Sequence, residues 1–262
     1  MSFEQYRNYY LIKAFGNKQH RDDFNSGKEI YINSVEFFHN HGNLFQGDFE
    51  GGIFQQPDNS PGKLIFTKEH QSLEQIVNKF RSNQYSADDY VVDTTGFKAF
   101  ISGHICCFAL FPKSSFVFCD NQIVFNENDA TIQKEFYNYL NGYAQDKGYT
   151  FFSVYDAEKF LQLFCEGMME KGYALCYGPV DYHAITAEER IRNYQHGSIQ
   201  SIIFTKDSRF AYQKEFRVFL QSHNYKNEPI KESGIDFRSS IVCSLAYLTP
   251  EYYKSISNHT AE

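Results

Sequence analysis

The sequence predicts an α+β protein with a mixed or mainly antiparallel sheet and flanking helices, and three observations carry that reading. Short β-branched and aromatic runs recur along the 262 residues, several alternating with period two. Helical stripes fall between groups of strands rather than after each strand, so the repeating rhythm of a parallel βαβ protein is missing. The hydrophobic share of 42% includes 27 Phe and 20 Tyr but no Trp, enough core material to exclude disorder as a description of the whole chain. No internal repeat or low-complexity tract divides it, and a single domain over residues 1–262 is expected.

Tyr9 to Phe15 is apolar and aromatic, ends at Gly16, and reads as the first strand. Asn17 then caps a short helix from Lys18 to Ser26, with Gly27 in the position where a left-handed residue ends helices. Ile30 to Val35 is a second strand. Alternation puts Tyr31, Asn33 and Val35 on one face and Ile30, Ile32 and Ser34 on the other. A polar, glycine-rich loop from His39 to Gly52 follows, then an irregular stretch with Pro57 and Pro61. Leu64 to Phe66 is a short strand, and Leu73, Ile76, Val77 and Phe80 mark an amphipathic helix. Phe97 to Phe111 and Phe116 to Phe125 read as longer strands, broken near Pro112 and turned at Asp120-Asn121.

Between residues 129 and 172 the period changes. Ile132, Phe136, Tyr139, Leu140 and Tyr143 form one helical stripe, and Phe160, Leu161, Phe164 and Met168 a second that begins near Asp156 and closes at Gly172. These predict a helical insertion or side layer beside the sheet. Strands return at Tyr173 to Tyr177, Ile199 to Thr205 and Glu215 to Gln221, with Thr186 and Glu189 boxing the start of a short helix to Tyr194.

Composition narrows the function. The longest apolar run, Ile105 to Phe111, is about a third of the roughly 20 residues that span a bilayer. The first residues lack a basic and apolar leader, so a cytoplasmic location is expected. Six cysteines without a Cys-x-x-Cys pair read as reduced thiols. A net charge of −7 with no Lys/Arg cluster disfavours general nucleic-acid binding, leaving a small molecule or a protein as the expected partner. No glycine-rich phosphate loop, Gly-x-Ser-x-Gly elbow or kinase signature is present.

Two segments carry candidate chemistry. In Gln213-Lys214-Glu215-Phe216-Arg217-Val218-Phe219-Leu220, alternation sends Lys214, Phe216, Val218 and Leu220 to one face, mostly core, and Gln213, Glu215, Arg217 and Phe219 to the other. An amide, a carboxylate and a guanidinium in a row need water or a ligand, and Glu215 and Arg217 are spaced to pair or to hold a polar substrate together. The alternative is a solvated strand face with a modest ion pair. In the loop, glycines around Asp48 and Glu50 permit close approach of backbone to a ligand, while Phe49 anchors it. His39 and His41 would be metal ligands only if more donors converged; the plainer role is a surface loop whose carboxylates cap turn amides. His104 beside Cys106 and Cys107 reads as a buried strand feature rather than a nucleophile pair.

Taken in order, Ile30-Tyr31-Ile32-Asn33-Ser34 with Phe37-Phe38, then Gly47-Asp48-Phe49-Glu50-Gly51, then Lys206 and Gln213-Lys214-Glu215-Phe216-Arg217, the chain resembles a group of uncharacterised bacterial and phage proteins met near phage-defence genes. More distantly it resembles the ADP-ribosyltransferase core, in which a late Gln/Glu-x-Glu strand carries the catalytic glutamate. That resemblance implies NAD as substrate, with Glu215 stabilising charge at the anomeric carbon as nicotinamide leaves and Gln213 orienting an acceptor. It implies that Tyr31 or Asn33 lines the nicotinamide side and that Lys13 or Arg217 meets phosphates. Asn33-Ser34 matches in part the Ser-Thr-Ser strand of such enzymes, and the early strand holds no Arg or His. The expectation is an NAD-acting or NAD-binding protein of phage defence or counter-defence. Its rivals are a non-catalytic module that sequesters a nucleotide signal or blocks a protein, and a metal-dependent nuclease using Asp48, Glu50 and Glu215.

Overall fold

The structure, a computed structural model, describes residues 2–35, 37, 53–54, 63–66, 90–93, 99–100, 103–119, 122–125, 131, 134–140, 151–183, 203–221 and 228–246. It is α+β, built on one large antiparallel sheet. The strands that frame the site are β1 (Tyr9–Phe15), β2 (Ile30–Ile32), β3 (His104–Pro112), β4 (Phe151–Asp156), β5 (Ala174–Pro179), β6 (Asp181–His183), β7 (Thr205–Asp207), β8 (Glu215–Gln221), β9 (Ile230–Glu232) and β10 (Ile241–Ala246). Six of them form the main sheet in the order β5-β8-β3-β1-β4-β10, and every neighbouring pair is antiparallel. Two smaller ladders join β9 to β2 and, in parallel, β6 to β7. Three further antiparallel pairs join Ile53–Phe54 to Ala99–Phe100, Lys63–Phe66 to Tyr90–Asp93, and Phe116–Cys119 to Gln122–Phe125.

Helix α1 (Lys18–Asn25) starts where Asn17 accepts the His20 N–H at 2.8 Å and is followed by Gly27 at φ +68°, both as the sequence predicts. Helix α2 (Ala157–Glu170) begins at Asp156, whose carboxylate takes the Lys159 N–H at 3.1 Å and pairs with Lys113 at 2.6 Å. The stretch 129–172 is thus more than a helical insertion. A helical segment at 134–140 and α2 are separated along the chain by β4, which pairs with β1 and β10 inside the main sheet. The predicted second strand also stops early: Ile30–Ile32 is extended, Ser34 makes an isolated bridge to His104, and Val35 is already helical. The His39–Gly52 loop and the predicted helices around 73–80 and 186–194 lie outside the described residues.

The sheet is covered on both faces. On the first, α2 presses Phe160, Leu161, Phe164 and Met168 onto Leu11, Phe108, Tyr155, Phe216 and Val218. Phe160 is the hub, with ring centroids 4.5 Å from Tyr155, 4.9 Å from Phe237 and 5.0 Å from Phe108. On the second face, Phe136, Tyr139 and Leu140 of the helical segment pack on Ile12, Ala109, Phe111, Phe152 and Val154. A separate cluster of Val35, Ile105, Ile203 and Phe219 covers another part of that face. The polar row of β8 falls between these two clusters. Glu215 stands opposite Ala109, Arg217 opposite Cys107 and Phe219 opposite Ile105, so the charges sit where apolar packing is interrupted.

Candidate functional site

The solvated strand face weighed from the sequence is not what forms. β8 is buried from Glu215 to Leu220, because β5 and β3 flank it and both faces are covered. Its polar side chains therefore have to satisfy one another. Lys206, at the centre of β7, reaches Gln213 Oε1 at 2.7 Å and Glu215 Oε1 at 3.4 Å. Arg217 donates from Nε at 3.0 Å and from Nη2 at 2.6 Å to the other carboxylate oxygen, Oε2, and from Nη1 to the Ile203 carbonyl. Lys206, Gln213 and Arg217 are each about 2% exposed or less, and Glu215 is 8% exposed.

Local structure explains the convergence. The 3-10 turn Ser208–Gln213 links β7 to β8, and Lys214 then adopts φ +49°, a left-handed conformation that L side chains enter at a cost. That reversal lets Gln213 face back to Lys206 while Glu215 starts the strand. Lys214 itself turns out to Glu135 on the helical segment, at 3.0 Å. Tyr182, on β6, accepts the Glu215 N–H at 2.9 Å, and the Glu215 carbonyl takes the Val180 N–H, so Glu215 is fixed at backbone as well as side chain. Burial, reinforced by the Glu215 charge, raises the Tyr182 hydroxyl and keeps it protonated. The Cys107 thiol opposite Arg217 is pushed up to about 12, first by burial and then by Glu215, so it is not a ready nucleophile.

The remaining sequence candidates divide. Gln213, Glu215 and Arg217 come together as expected, and Lys206, given no role in the sequence reading, is the cation that joins them. Lys13 lies on the opposite face of the sheet. Its ammonium touches Cys106 Sγ and the Cys107 carbonyl, each at 3.4 Å, and sits over the rings of Phe108, Phe24 and Phe15 at 4.9, 5.3 and 5.8 Å. It cannot share a phosphate with Arg217 across the sheet. Tyr31 is 43% exposed on the β2/β9 ladder, with the Lys231 ammonium over its ring.

Asn33 and Ser34 stand nearer. The Asn33 carbonyl accepts the Ile105 N–H at 3.0 Å, and the next residue but one, Val35, packs with Ile105, Ile203 and Phe219, one apolar layer from Arg217. The Asn33 Oδ1 is buried without a hydrogen-bond partner among the described residues. Asp48 and Glu50 lie outside the described residues, as do His39 and His41. Among the described residues no group of three or more His, Cys, Asp or Glu is placed to hold a metal, and no helix is long and apolar enough to cross a membrane.

The signal that would have found Lys206 was its place seven residues before Gln213, across a turn tight enough to bring both back together. No protein family model matches the chain, and neither a curated protein nor a solved structure matches it.

Proposed function

We propose that this chain binds an NAD-like nucleotide at the Lys206–Gln213–Glu215–Arg217 cluster, and that binding rather than turnover is what the geometry supports best. The observation that carries this is the buried meeting of two cations, one carboxylate and one carboxamide, all held by hydrogen bonds. A nucleotide offers the phosphates and hydroxyls that such a set recognises. Glu215 is a poor candidate for stabilising positive charge at an anomeric carbon, because Lys206 and Arg217 already neutralise its field. ADP-ribosyl transfer needs Glu215 released from Arg217 when substrate enters, and that is the second reading, favoured by the Gln213/Glu215 pairing that matches the Gln-x-Glu motif. The nuclease alternative would rest on Asp48 and Glu50, and the two cations beside Glu215 oppose a divalent ion there.

The defence or counter-defence setting rests on the motif resemblance. A cytoplasmic setting belongs to the same proposal and agrees with the free thiols among the described residues, Cys106, Cys107, Cys165, Cys176 and Cys243. The test is a thermal-shift panel of NAD, ADP-ribose and cyclic nucleotides together with a nicotinamide-release assay. A ligand at 100 times its dissociation constant adds about 2.7 kcal/mol of stability, a shift that is easily read. Binding without nicotinamide release supports the first reading. Release that Glu215→Gln abolishes establishes the transferase instead, and no shift with any nucleotide overturns both.

A further inference from the structure

We draw no further inference here: the strongest candidate, the Lys13 ammonium held over the rings of Phe15, Phe24 and Phe108 and against Cys106 Sγ on the α1 side of the sheet, carries nothing, because the thiol it touches is 2% exposed and raised by burial and nothing in the structure shows what else would meet the ammonium.

Discussion

Replacing Arg217 by Met isolates the energetics of the buried cluster. The substitution keeps an unbranched side chain of similar reach and removes, among the described residues, two hydrogen bonds to Glu215 Oε2 and one to the Ile203 carbonyl. Glu215 is then left with Lys206 at 3.4 Å on its other oxygen, in a position 8% exposed. Removing one partner of a buried ion pair costs about 3–5 kcal/mol, because the remaining carboxylate has lost its water and the closer of its two described cations, with Lys206 left at the longer distance. At about 2–4 °C per kcal/mol for a chain near this size, Arg217→Met lowers Tm by roughly 6–20 °C. Circular dichroism on thermal and urea unfolding measures both. The double variant Glu215→Gln with Arg217→Met should lose clearly less than the sum of the singles, since the stranded charge is gone. A single-variant loss under about 1 kcal/mol, the range of a surface ion pair, would refute the claim that this cluster is desolvated.

The remaining predictions concern the frame around the site. Phe160→Ala opens the centre of the aromatic core and should cost about 3–5 kcal/mol by urea denaturation, whereas a loss near 1 kcal/mol would mean that α2 closes over the gap. Gly27→Ala combines a φ of +68° with a new Cβ only 2.3 Å from the Ile235 carbonyl oxygen, a backbone atom. It should destabilise by more than about 1 kcal/mol, and an unchanged Tm would contradict the close approach. Asp156 is pushed up by burial, but Lys113 and the Lys159 N–H outweigh that and hold its carboxyl below the ordinary value. Its contribution is therefore full above the unfolded carboxyl's pKa and is lost as pH falls through the lower folded one. Asp156→Asn should thus cost stability at pH 7 and progressively less on acidification, checked by urea midpoints across pH 2 to 7 (roughly the carboxylate range).

Much of the frame was legible because local chemistry and tertiary demand agreed. Tyr9 to Phe15, the Asn17 cap, Gly27 and the limits of β8 follow from alternation and capping alone. β4 escaped because Phe151-Phe152-Ser153-Val154-Tyr155 is buried on both faces and runs into α2, leaving neither polar alternation nor a turn to mark a strand. The pairing of Glu215 with Arg217 could be read from their spacing, but its burial could not, since that depends on β5, β3 and the distant 134–140 helix. Lys13 shows the same limit from the other direction. Its alternation with Ile12 and Ala14 says that it leaves the strand on one side, and only the registers of β1 and β8 against β3 decide that the side is opposite to Arg217.

The strand order has a kinetic consequence. β1, near one end of the chain, occupies the middle of the sheet, with Leu11 set against Leu110 on β3 and against Tyr155 on β4. Both ladders thus close loops of about 100 residues or more, and β10 must arrive from still farther along to cover β4. Contacts of such separation make chain closure entropically expensive before any of it is rewarded, which slows folding relative to a helical bundle of equal stability. Until they form, β1 presents two unmatched edges and an apolar face. Refolding yield should therefore fall as protein concentration rises, more steeply than native stability alone would predict.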